Sequence, residues 1–229
     1  MVWGIIGAMN SEVALLREKM TVEKTEERSG LTFYQGTLAG QKVIVVMCSI
    51  GKVNAALCAQ TLAQVYGVDR LVNTGVAGAL DSRLNIFDMV VSDELCYHDA
   101  DLDIFRTNPP FCAEYQADKT MVQWAKEACG MVSGEEFHCF VGRIVTGDRF
   151  ISEAAVKESI VERFHPMCVE MEGAAIAHVA TANKLPFVVI RSMSDKADDS
   201  AGISFDEFAP KAAEHSARII IRMLELAGK

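Results

Sequence analysis

The chain has 229 residues and a mass of 25.0 kDa, enough for one α/β domain with a full core, which we expect to span 1–229. With 22 Lys and Arg against 31 Asp and Glu, the formal net charge is −9, which argues against a general affinity for nucleic acid or anionic membranes. Seven scattered cysteines without a C-x-x-C pair read as small apolar core residues in a reducing cytoplasm. The first residues run straight into an apolar segment with no basic leader. No apolar run reaches the roughly 18 residues a membrane span needs.

In chain order, VWGIIGAM (2–9) is a glycine-bounded apolar run, and SEVALLREKM (11–20) follows at helical spacing, so strand then helix is predicted. Three strands are expected in TVEKTEERSG, LTFYQGTLAG and QKVIVVMCSI, with turns at Ser29-Gly30 and Ala39-Gly40. KVNAALCAQTLAQVYG reads as a helix stopped by Gly67, DRLVNTGVAGAL as a buried strand entering a glycine-rich bend, and FDMVVSDEL as another strand. From His98 to Asp118, adjacent prolines and weak periodicity suggest a long loop with short turns. Helices and strands then alternate: DKTMVQWAKEACG, FHCFVGRIVTGD, ISEAAVKESIVERF, MCVEME, GAAIAHVATANKL, FVVIRSMSD, and a last helix from about Phe205 to Leu226. Together these predict an α/β fold with a central mixed sheet flanked by helices.

Ligands of such sheets sit beyond the carboxyl ends of the strands. Those ends deliver Glu12 after the first strand, Glu170 and Glu172 in MCVEME, and Asp195 at the end of FVVIRSMSD. Each also has a plain structural use. Glu12 suits the first turn of a helix, where an acid gains about 0.3–1 kcal/mol from the dipole, and Asp195 suits a turn start. Arg191, inside an apolar strand, requires a buried anionic partner. HDAD (98–101) lacks a second ligand cluster at metal spacing, so no metal and no cofactor are expected.

The segments GIIGAMNSEV, SIGKVNAA, NTGVAGAL, VVSDELCYHDADL, VTGDRFI, VEMEGAAIAHVA, VVIRSMSDKAD and SFDEF occur in this order over essentially the whole chain. Together they resemble the 5′-methylthioadenosine/S-adenosylhomocysteine nucleosidases of the purine nucleoside phosphorylase family. The resemblance implies a nucleoside phosphorylase-like, partly barrel-like sheet and hydrolysis of the N-ribosidic bond. It implies that Asp195 protonates the leaving adenine, that Glu12 activates water and that Glu172 holds the ribose hydroxyls. It further implies that Arg191 orients the water and Glu172, with Ser194 beside the acid. Met9, Ile50, Phe150, Ile151, Met171 and Phe205 match the pocket lining, as do Val76, Ala77 and Gly78 of the glycine segment and Glu170 beside Glu172. Family members are homodimers. The loop 98–111 is therefore expected at the interface, with Leu102 and Phe105 covering the 5′ substituent of the partner's substrate.

The residues themselves argue for hydrolysis over phosphorolysis. A phosphorylase must hold a dianion with Arg or Lys, whereas GAMNSEV supplies Glu12 and no base. A phosphate-dependent phosphorylase, another purine nucleosidase such as one acting on futalosine, and a non-catalytic nucleoside-binding module remain the alternatives. One departure stands out: many relatives carry Ser where this chain has Val76, and the glycine bend is expected to bring that position against Asp195.

Overall fold

The computed structural model describes residues 1–134 and 136–228. The strands are β1 (Val2–Gly7), β2 (Thr21–Arg28), β3 (Leu31–Leu38), β4 (Gln41–Met47), β5 (Arg70–Ala79), β6 (Met89–Tyr97), β7 (Tyr115–Gln116), β8 (Cys139–Thr146), β9 (Cys168–Glu170) and β10 (Phe187–Asp195). The helices are α1 (Asn10–Lys19), α2 (Lys52–Gln64), α3 (Leu102–Thr107), α4 (Lys119–Val132), α5 (Ala154–Phe164), α6 (Gly173–Ala182) and α7 (Ala201–Ala227).

One mixed sheet runs β10-β6-β8-β9-β5-β1-β4-β3-β2, and β10 also pairs with β5. That extra pairing closes β10, β6, β8, β9 and β5 into a ring, while β1, β4, β3 and β2 extend from it as an open wing. β5 is the seam, parallel to both β1 and β10, so both its edges are hydrogen-bonded. The partly barrel-like sheet that the family resemblance implies is therefore present.

Period-two alternation sends successive side chains to opposite layers. Trp3 and Ile5 of β1 pack with α1, α4 and α7 through Leu16, Met121, Ala125, Ile220 and Leu224. Ile6 faces the other layer, against Ala55, Ala59 and Leu62 of α2 and Ile176 of α6. Burial on both faces explains why the strands of the ring read as nearly continuous apolar runs. No helix among the described residues is long and apolar enough to cross a membrane.

Four expectations change. TGVAGA does not bend: β5 stays extended to Ala79 because β10 pairs with it from Leu71 to Gly78, and that ladder outweighs the glycines' freedom. The segment after His98 is not a plain loop, since Asp101 caps the short α3 by accepting from the Asp103 N–H and Tyr115-Gln116 adds an edge pairing to β6. The last helix begins at Ala201 rather than near Phe205. Cys129 of α4 and Cys139 of β8 form a disulfide where that helix lies across the strand's start, leaving Cys48, Cys58, Cys96, Cys112 and Cys168 free.

Candidate active site

The acids reach one pocket because β1 and β10 run parallel to β5 and carry Glu12 and Asp195 beyond their ends, while the short β9, antiparallel to β5, pairs with its last residues and brings Glu170 and Glu172 in beside them. Glu12, in the first turn of α1, turns back over the end of β1. Its Oε2 accepts from the N–H groups of Ala8 (2.6 Å) and Met9 (2.9 Å), and its Oε1 accepts from the Val76 N–H of β5 (3.0 Å). Capping and presentation are thus combined in one carboxylate. It is 1 % exposed, and burial holds its pKa above the usual range against the opposing Arg191 charge and those three N–H donors.

Arg191, fully buried in β10, is the cation of the floor. Its Nη2 donates to Glu170 Oε2, to Asn73 Oδ1 (2.5 Å) and to Glu172 Oε2 (3.3 Å), and its Nη1 donates to the Val76 carbonyl (3.3 Å) and lies 3.8 Å from Glu12 Oε1. Burial alone would lower its pKa; Glu170, Glu172 and Glu12 outweigh that and hold it above the ordinary value. The buried partner demanded by the sequence is therefore three carboxyl groups around one guanidinium.

Glu170 and Glu172 divide the work. Glu170 accepts from the Thr146 hydroxyl, from the N–H groups of Glu172 (3.0 Å) and Gly173 (2.7 Å), and from Arg191. Both its oxygens are engaged within the protein, so its place on the pocket wall braces Arg191 and the start of α6. Glu172 keeps more freedom: Oε1 accepts from the Gly51 N–H (2.9 Å) and Oε2 from Arg191. Burial raises its pKa, opposed by Arg191 and seconded by the neighbouring Glu170.

Asp195 ends β10 after an irregularity in its pairing with β5. Ser194 Oγ donates to its Oδ2 (2.9 Å) and the Ala197 N–H to its Oδ1 (2.8 Å). Burial pushes its pKa up, while those two donors pull it down. A carboxyl so placed carries a proton nearer neutrality than a free aspartate and can hand it to a base held in the pocket.

Met9, Ile50, Val76, Ala77, Gly78, Phe150, Ile151, Glu170, Met171, Ser194 and Phe205 line the same pocket as Glu12, Glu172, Arg191 and Asp195. The rings of Phe150 and Phe205, both in its wall, meet edge to face with centroids 5.6 Å apart. Leu102 and Phe105 do not line this chain's own pocket. They are half-buried against its own core, with Phe105 5.1 Å from Tyr97 and 5.5 Å from His178 between ring centroids, rather than exposed on a loop. Ile104 and Phe111 are the outward apolar residues, 55 % and 66 % exposed.

The neighbour of Asp195 is Gly78, not Val76. β5 and β10 pair Gly78 with Asp195 and Val76 with Ser192, and a Cβ on Gly78 would lie 2.8 Å from Asp195 Oδ1. An extended β5, where a bend was expected, shifts Val76 toward Glu12. Sequence reasoning missed Arg149, Ala8 and Val169 of the wall, and also Asn73, whose amide holds Arg191 and donates to the Ile6 carbonyl (2.9 Å). An Asn inside the apolar RLVNTGV was the available signal.

The chain that builds this partly closed sheet, with its acids around one buried guanidinium, matches the Phosphorylase superfamily over residues 3–225. A 5′-methylthioadenosine/S-adenosylhomocysteine nucleosidase of Colwellia psychrerythraea is 42 % identical over 235 residues, covering 99 % of this chain and 97 % of that one. The chain belongs to this nucleosidase family. The Neisseria meningitidis nucleosidase, solved in complex with methylthio-immucillin-A, superposes with a TM-score of 0.93 at 36 % identity, over 98 % of this chain and 99 % of that one. A futalosine hydrolase of Helicobacter pylori superposes at 0.91 with 32 % identity, over 99 % and 98 % of the two chains.

Proposed function

We propose that this chain hydrolyses the N-ribosidic bond of 5′-methylthioadenosine and S-adenosylhomocysteine, releasing adenine and the 5-thioribose product. The observation that carries this reading is Glu12, a buried carboxylate with a raised pKa standing where a phosphorylase would need free cationic groups. Arg191 is already engaged by Glu170, Glu172 and Glu12, so it has no free face to offer a phosphate dianion. Water is the nucleophile that suits such a floor.

In this reading Asp195 is the general acid toward the adenine ring, and its raised pKa suits the donation. As the bond breaks, positive charge develops on the ribose, and Glu172 accepts from the ribose hydroxyls while its charge favours the cationic ring. Glu12 takes the proton of the attacking water, and Arg191 holds the carboxylates in register. Met9, Ile50, Met171 and Phe205 give the alkylthio group an apolar seat, and the flexible thioether side chains fit tails of differing size.

The test is adenine release from methylthioadenosine in phosphate-free buffer, with free methylthioribose as the second product. A requirement for added phosphate would overturn the reading, and faster turnover of futalosine would move it to the related hydrolase. Glu12→Gln and Asp195→Asn are each expected to lower kcat by at least about 10²-fold, the loss typical of one positioned acid or base.

The same reading includes a homodimer. α3 and its flank offer Ile104 and Phe111 to solvent, with Leu102 and Phe105 beneath them, and adjoining exposed apolar groups of this kind suit a contact surface. Leu102 and Phe105 are proposed to close the partner's pocket over the 5′ substituent. Sedimentation at assay concentration is expected to give a dimer, and a fully active monomer would sink the assembly.

A further inference from the structure

The turn that follows Asp195 is held from outside the site by a residue that touches no part of the pocket. β10 loses its regular pairing with β5 between Met193 and Asp195, so the chain leaving the acid has no ladder to fix it. The half-buried Lys157 of α5 reaches across the gap. Its Nζ donates to the Lys196 carbonyl (2.5 Å) and to the Ala79 carbonyl at the end of β5 (3.2 Å). It ties the two strand ends together where their own hydrogen bonds stop. The next residue, Ala197, donates its N–H to Asp195 Oδ1, and Lys196 Nζ ties the same turn to the Leu84 carbonyl.

A half-buried lysine of ordinary structural use covers apolar surface with its stem and leaves its ammonium in water or on a carboxylate. Lys157 instead gives its ammonium to two backbone carbonyls of the turn that carries the acid. We infer that Lys157 is a positioning residue for Asp195: by clamping Ala79 to Lys196 it fixes the turn whose Ala197 N–H orients the carboxyl toward the leaving base. The inference rests on Asp195 as the general acid.

Three charged or titratable groups act with Asp195 from the elements around it. Lys157 comes from α5, Asp198 from the turn after β10 and Cys168 from β9. Lys157 favours the carboxylate and Asp198 opposes it. Removing the ammonium therefore raises the pKa of the acid. Since the acid works protonated, activity falls as pH rises through that pKa, and the alkaline limb of kcat moves to higher pH.

The experiment compares Lys157→Met, which keeps the stem, with Lys157→Arg, which keeps charge and donors, using adenine release from methylthioadenosine across pH. Thermal melts and Asp195→Asn run alongside. The inference expects Lys157→Met to lower kcat by about tenfold, as misalignment of an intact acid does, with KM within about twofold, the alkaline limb shifted upward, and Lys157→Arg restoring both. Unchanged kcat and limb in Lys157→Met overturn it. So does a fall in kcat with the limb unmoved and no rescue by Arg, which would mark Lys157 as only structural. Near-full turnover by Asp195→Asn would remove the acid and this inference with it; loss of turnover there with an indifferent Lys157→Met would remove the inference alone.

Discussion

Gly75 decides whether Glu12 and Arg191 can lie together. A Cβ at this position would stand 2.3 Å from Glu12 Oε1 and 2.4 Å from Arg191 Nη1, closer than any real contact allows. Neither group can simply swing aside, because Glu12 is held by the N–H groups of Ala8, Met9 and Val76, and Arg191 by Asn73, Glu170 and Glu172. The bare backbone of NTGVAGAL is therefore needed for the approach of two charged groups and not for a turn. Gly75→Ala is expected to lower kcat by about 10²-fold, the order that follows a displacement of about 1 Å at a reacting centre. Turnover measured beside a thermal melt checks it: near-full activity would show that the pair can relax around a methyl group.

At the scale of elements, the geometry of β5 and β10 controls which side chains meet, and this is also where sequence and structure part. Apolar runs and helical spacing located β1 to β6 and β8 to β10, α1, α2 and α4 to α7, because those signals are local. Ser29 and Ala39 indeed take positive φ at the predicted turns. The extension of β5 through its glycines was not legible, since it comes from pairing with a strand more than a hundred residues away. The acids could be read from strand ends, and their assembly into a site came through the family resemblance. Asn73, Arg149 and Lys157 could not be placed that way, because their importance lies in contacts that only the closed ring creates. The corrected position of Val76 reverses an expectation. With its N–H on Glu12 Oε1, a hydroxyl introduced by Val76→Ser would add a donor beside Glu12 and not beside Asp195. Donation to the ionised form lowers the pKa of Glu12. As the proposed base, Glu12 works ionised, so the acidic limb of kcat should move to lower pH while the alkaline limb, assigned in the same proposal to Asp195, stays. A shift in the alkaline limb instead would return Val76 to Asp195 and contradict the register.

For the whole molecule, the site is a concentration of burial costs that the rest of the fold offsets. Glu12, Glu172 and Asp195 all have pKa values raised first by desolvation, so their ionised forms weigh against the folded state at neutral pH. Asp195 is the cleanest place to measure this, because an Asn there can still accept from the Ala197 N–H through its oxygen while its amide donates to the Ser194 hydroxyl. The sign follows from the raised folded pKa. Below the unfolded value, near the ordinary 3.8, the acid is protonated in both states and costs nothing. As pH rises through the folded pKa, the native state is forced to ionise a buried group and stability is lost. Asp195→Asn escapes that loss, so it should melt higher than the parent at pH 8, and its advantage should shrink as pH falls toward 4. A rise on the order of a few degrees is expected, since about 1 kcal/mol moves Tm by about 2–4 °C in a domain of this size. Melting curves of both proteins across that range decide it: an advantage that is constant with pH, or that grows toward pH 4, would show that the Asp195 carboxyl is not strained by its burial, and the stability cost of this site would have to lie with the carboxylates around Arg191.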